Sequence, residues 1–171
     1  MKKRMLLNIL ATYFLLTACS GDEEGPIEEN NTQEDGSKEE NQISDWEEQI
    51  KQIASSDKSE TEKHDEVMLK LVKNFEPKDE DIEDFEKYLI SEFQNGNYLS
   101  DITNHEYMLT NLFKAGVVEK YYDDSGQYPL DSFAFDFVQN TKYTYRGVDA
   151  VDSESVKNNE EQMKKALEEI Q

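Results

Sequence analysis

Two histidines, His64 and His105, are the side chains best placed for acid–base work or metal binding near neutral pH. Each stands beside carboxylates, Asp65 and Glu66 in one case and Glu106 in the other. A metal site needs three or four converging ligands, and neither neighbourhood has the His-Glu-x-x-His spacing or a second nearby histidine. Both are expected on helix surfaces. Asp79-Glu80-Asp81 and Asp123-Asp124-Ser125-Gly126 offer the oxygens that hard cations want, but neither puts a glycine and a glutamate where a calcium loop needs them. The serines form no Gly-x-Ser-x-Gly elbow. Paired carboxylates are uninformative in a chain with 39 acidic residues. No catalytic residue, metal site or cofactor is therefore expected, and the chain reads as a non-enzyme.

Binding chemistry is more visible. Tyr121-Tyr122 and Tyr143-Thr144-Tyr145-Arg146-Gly147 gather aromatic rings around one of only two arginines in the chain. A planar five-donor guanidinium among lysines suits bidentate pairing. It either pins an irregular segment internally, with the tyrosines half buried, or forms an exposed aromatic and arginine anchor of the kind that dominates interfaces. On the second reading Tyr121, Tyr122, Tyr143, Tyr145 and Arg146 are the partner-binding candidates.

Those residues must be positioned by a chain of 171 residues with a formal net charge of −21. Such a field repels nucleic acid and anionic head groups, so nucleic-acid binding is not expected. From Ser20 to Ile43 nine acidic residues face Lys38 alone, with Gly, Pro, Asn and Ser between them. That composition buries too little apolar surface to offset the entropy of ordering and predicts a disordered tether, with a reach of about 25–30 Å as a flexible coil.

Upstream, Lys2-Lys3-Arg4 precedes an apolar run over residues 5–17, then Ala18 and the only cysteine, Cys19. A basic start, a short apolar run and a small residue before the processing point are the parts of a secretory signal. The run is well under the roughly twenty residues a membrane span needs. Leu16-Thr17-Ala18-Cys19 resembles the lipobox of bacterial lipoproteins. That resemblance covers about residues 1–20 and implies cleavage before Cys19, diacylglycerol on its thiol, and attachment to the extracytoplasmic face of the cell membrane. A lone cysteine excludes an internal disulfide framework, and lipidation would leave no free thiol. Many Lys, Glu, Asn and Ile residues fit a low-GC Gram-positive source. The organisation expected is a signal over 1–18, a lipidated Cys19 with an acidic tether over 19–43, and a folded domain over 44–171.

The domain reads as all-α, compact, with about five to six helices. Ser44-Asp45-Trp46-Glu47 fits a capping box with Ile43 as a staple, opening a helix over about 45–55 with Trp46, Ile50 and Ile53 on one face. Ser59 with Glu62 opens a second, whose stripe is Val67, Met68, Leu71, Val72 and Phe75, ended by Pro77. Acidic residues 79–84 suit the positive end of a third helix, which Asn95-Gly96 closes. A fourth is predicted from about Thr103 to Ala115, stopped by Gly116. Pro129 opens a fifth through Phe133 and Phe137, although Phe133, Phe135 and Phe137 also alternate as a strand would. Helix is preferred because a lone strand has nothing to pair with. Residues 142–147 are expected to be extended or irregular. Asp152 or Ser153 caps a last helix with Val156, Met163, Leu167 and Ile170 inward.

The expected role is a protein-interaction module docking an envelope protein. A small-ligand or cation receptor for an envelope transport system is the alternative.

Overall fold

The computed structural model describes the backbone of residues 40–123 and 128–170, with side chains over 46–122 and 128–170. Among the described residues there are six α-helices and no strand, so the all-α expectation holds. They are α1 (Glu40–Ser55), α2 (Glu60–Glu66), which runs on as a π-helix (Val67–Val72), α3 (Asp79–Gln94), α4 (His105–Asp123), α5 (Pro129–Tyr145) and α6 (Glu154–Ile170). The signal, Cys19 and residues 19–39 of the tether lie outside the described residues.

Several local signals act where the sequence places them. Ser59 caps α2: its backbone N–H donates to the Glu62 carboxylate at 3.0 Å, and the Glu62 N–H donates to Ser59 Oγ at 3.4 Å, which satisfies two orphan donors of the first turn. The second helical run ends ahead of Pro77. At the end of α3, Gly96 takes φ 69°, the Asn97 N–H donates to Glu92 O at 2.8 Å and the Gly96 N–H to Phe93 O at 3.0 Å. That is a Schellman cap, open to glycine because a Cβ disfavours positive φ. Asn104 caps α4 through its Oδ1, which accepts from the Tyr107 N–H at 3.1 Å, and Ser153 caps α6 through the Val156 N–H at 3.2 Å.

Other expectations are corrected. The first helix begins at Glu40 and not near 45, so Ser44 is interior and no N-cap, and residues 40–43 belong to the helix and not the tether. Glutamate, asparagine and glutamine without Pro or Gly contain nothing to stop a helix running upstream. Gly116 does not stop α4, which continues to Asp123 with Val117 and Val118 buried. A Cβ at Gly116 would meet Met68 Cε at 2.9 Å and Val72 Cγ2 at 3.2 Å; the glycine lets the π-helical segment approach closely. Residues 142–147 are not extended. They are the last turn of α5 and a second Schellman cap, with Gly147 at φ 68° and the Val148 N–H donating to Tyr143 O at 2.9 Å. Ile170 is exposed and not inward, being the last residue of α6.

The core explains the order. Helix α4 is buried over most of its circumference, with Met108, Leu109, Leu112, Phe113, Ala115, Val117 and Val118 in the core, and such a helix belongs in the middle. Its neighbours are α1, the α2–π run, α3 and α5, and α5 in turn carries α6. Phe113 is the hub: Trp46 of α1 stacks on it at 4.6 Å, and Phe75 and Phe85 meet it edge-on at 5.2 and 6.0 Å.

Candidate functional site

The five binding candidates do not form one site. Tyr121 and Tyr122 sit on the last turn of α4, while Tyr145 lies against His105 at its first residue, with Tyr145 Oη and His105 Nδ1 3.0 Å apart. Sixteen residues of helix separate the two groups by about 24 Å. Tyr145 is buried at 3 % exposure and packs edge-on against His105, so it is a structural residue and no exposed anchor. Arg146, the C-cap of α5, is half buried and its Nε donates to Thr61 Oγ1 at 3.4 Å, which ties α5 to α2. Tyr143 is exposed and carries Lys142 Nζ 4.5 Å from its ring centroid.

The other end of α4 carries the closest grouping of exposed tyrosines among the described residues. Tyr121 and Tyr128 are 40 % and 48 % exposed, and Tyr122 lies between them at 5.2 and 5.6 Å between ring centroids. The Tyr121 hydroxyl donates to Asp79 at 2.9 Å and the Tyr122 hydroxyl to Glu86 at 2.6 Å. Asp79 and Glu86 are seven apart on α3, two helical turns along one face. The two phenols therefore clamp the end of α4 to the acidic start of α3. The Asp79 carboxylate raises the Tyr121 pKa, while burial and then Glu86 raise that of Tyr122, so both stay protonated donors. Tyr128 has no part in the sequence-based candidate set, because it stands alone after a turn signal and only the fold brings it to the pair.

A second feature is a groove of about 720 Å³ between the α3–α4 connection and α6. Its sides are Phe93, Leu99, Val151 and Leu167, with Glu160, Lys164 and Glu168 at the rim. At its floor the buried Tyr98 hydroxyl donates to Glu160 at 3.0 Å and accepts from Asn140 Nδ2 at 3.0 Å. Asn140 also donates to Val156 O at 3.1 Å and accepts from Asn159 at 2.8 Å. Asn111 donates to Tyr98 O at 3.1 Å and accepts from Tyr88 at 2.8 Å. The Tyr107 hydroxyl is shared between Glu92 and Asn97 O, and burial with the Glu92 bond pushes its pKa up to about 12. This polar network holds the α3–α4 connection to α5 and α6. None of its members is visible in the sequence as more than a loop or helix polar residue.

No known protein family, curated protein or solved structure matches this chain. The functional reading therefore rests on these residues.

Among the described residues, no group of three or more His, Cys, Asp and Glu side chains is placed to hold a metal ion, and no helix is long and apolar enough to cross a membrane. Ser55-Ser56-Asp57-Lys58 has the Ser-x-x-Lys spacing of some acyl-transfer enzymes, a match that sequence reasoning missed. Lys58 is ion-paired with Glu66, and Ser55 Oγ donates to Gln52 O at 3.1 Å. The two side chains are thus engaged with other groups and not with each other.

His64 departs from the helix-surface expectation. It is 7 % exposed, its Nδ1 meets Asp65 at 2.8 Å, and its Nε2 has no hydrogen-bond partner among the described residues. Burial lowers its pKa below the ordinary 6.5, opposed by the Asp65 bond and charge and reinforced by Arg146 and Lys142. Below pH 6.5 the unfolded chain therefore binds a proton that the folded chain resists, and stability declines as pH falls from there through the folded-state pKa. Glu62 and Glu66, whose pKa values are lowered from 4.5 chiefly by bonds from Ser59 and Lys58, act in a more acidic window. The urea midpoint should be lower at pH 5.5 than at pH 7.5, with a smaller difference in His64→Gln; equal differences in the two proteins would remove His64 as the cause.

Proposed function

We propose that the protein is a lipid-anchored bacterial lipoprotein on the extracytoplasmic face of the cell membrane, whose helical domain is a non-catalytic protein-interaction module. Cys19 carries the lipid, residues upstream are the signal, and the acidic stretch after it is a spacer. The observation that supports a docking role is the exposed tyrosine corner at the end of α4, since aromatic side chains with polar tips are what interfaces concentrate. The envelope protein docked there would be reached by a tethered domain that stays near the membrane.

The test has two parts. Cys19→Ser should move the protein from the membrane fraction to the soluble fraction. In-cell crosslinking of the wild-type chain should capture one dominant envelope protein, with Arg146→Ala retaining it. Absence of any crosslinked partner in repeated experiments sinks the module reading.

The groove beside Tyr98 supports a second reading, a small-ligand or cation receptor of an envelope transport system. A volume of about 720 Å³ lies within the range of small-molecule sites. Heat in calorimetric titrations with peptides or divalent ions, lost in Lys164→Ala, would favour it over docking.

A further inference from the structure

Resting on the interaction-module reading, we infer that the end of α4 recognises a lysine- or arginine-rich segment of its partner protein, with Tyr121, Tyr122 and Tyr128 supplying ring faces and Asp79 and Glu86 the carboxylates.

The corner places three aromatic rings beside two carboxylates. Tyr121 and Tyr122 stand at 89° and Tyr122 and Tyr128 at 47°, so the ring faces turn different ways around one exposed corner. A cation within about 6 Å of an aromatic face is attracted by the ring quadrupole. Each phenol that donates to a carboxylate becomes more electron-rich, which strengthens that attraction. Asp79 and Glu86 each accept one phenol, and an ionised carboxylate offers about four lone-pair sites, so both retain capacity for ammonium or guanidinium donors.

Lys120, next to Tyr121 in sequence, is turned away. Lys120 Nζ donates to the carbonyls of Val72, Lys73 and Phe75 at 3.3, 2.9 and 3.0 Å, closing the end of the π-helical run. The chain already uses tyrosine faces for its own cations: Lys114 Nζ lies 3.9 Å from the Tyr88 centroid and Lys142 Nζ 4.5 Å from that of Tyr143. Charge complementarity selects the same partner. A chain of net charge −21, with Asp79, Glu80 and Asp81 opening α3 beside the corner, steers cationic segments inward and repels acidic ones.

The test must separate this corner from general attraction to a polyanion. Full-length protein in detergent micelles at physiological salt is titrated into a fluorescein-labelled peptide of alternating arginine and serine, and into its citrulline counterpart, which has the same shape without the charge. The arginine peptide should bind at least about tenfold more tightly, and the double variant Tyr121→Leu, Tyr128→Leu should lose about tenfold, the scale of two cation–ring interactions. Neither substitution changes net charge; Tyr121→Leu also removes the bond to Asp79, so circular dichroism must first show the double variant folded, and Tyr128→Leu alone, which leaves that bond in place, should lose part of the affinity. Tyr143→Leu, at the far end, should bind as wild type.

Equal affinity of the double variant and wild type, or equal loss in Tyr143→Leu, would overturn the inference in favour of diffuse electrostatics. Preferential binding of phosphatidylcholine vesicles, lost in the same variant, would overturn it in favour of a lipid ammonium group. A crosslinked envelope partner that survives the double variant would sink this corner while leaving the module reading intact; no crosslinked partner at all would sink the module.

Discussion

Phe113→Ala is expected to lower the stability of the domain by about 3–5 kcal/mol. Phe113 has no exposed surface, and its ring meets α1, the end of the second helical run and α3 through Trp46, Phe75 and Phe85. Truncation removes the apolar transfer term and leaves a void between four elements, which cannot all close on it at once. The stacked and edge-on attractions of the ring to its three aromatic neighbours disappear as well. Against a total stability of about 5–15 kcal/mol for a typical domain, the loss decides whether the protein is folded at growth temperature. Urea denaturation followed by the fluorescence of Trp46, the only tryptophan, reports directly on the stacked ring. Phe135→Ala is the control, since Phe135 is 47 % exposed on α5 and should cost well under 1 kcal/mol. A Phe113→Ala loss no larger than that of Phe135→Ala would mean that the helices are held together elsewhere.

Asn140→Leu should cost roughly 2–4 kcal/mol, although leucine matches asparagine closely in shape. Asn140 is 2 % exposed and serves three partners: the Tyr98 hydroxyl, Val156 O and the Asn159 amide. Burying a group that has lost its partner costs about 1–3 kcal/mol, while removing both partners can be nearly neutral. Tyr98→Phe in the Asn140→Leu background should therefore recover part of the loss. A double-mutant cycle over Tyr98 and Asn140 should show coupling of about 1 kcal/mol, above the 0.3–0.5 kcal/mol scatter of independent sites. Strict additivity would show that the network is no unit. The groove rim should respond too, because Tyr98 holds Glu160.

The two predictions divide the molecule as its sequence does. Phe113 belongs to an apolar stripe that helical spacing exposes at once, whereas Tyr98 sits after a glycine in a connection and Asn140 is one polar residue among many. Their joint role depends on α6 folding back over α5.

How far local reading reaches can be followed at the glycines. Gly96 is legible as a helix end because its requirement, positive φ after Asn95, is a property of the chain segment itself. Gly116 looks like the same signal and is not one. Its reason lies 44 residues or more upstream, where Val72 and Met68 press against the bare backbone. Gly147 inverts the error: a capping glycine reads as irregular chain because Tyr143 and Tyr145 alternate, a pattern that one turn of helix with one buried ring also produces.

By itself the sequence determined the all-α class, most helix positions, the acidic surface and the lipobox resemblance, because caps, stripes and charge are set by neighbours within about four residues. Only tertiary structure decided that Tyr145 is core while Tyr121 is surface, that His64 is buried, and that Tyr128 completes an aromatic corner with Asp79 and Glu86. Exposure of a tyrosine is a property of what packs against it, and the partners lie far off in sequence, 42 positions for Tyr121 and Asp79 and 40 for Tyr145 and His105.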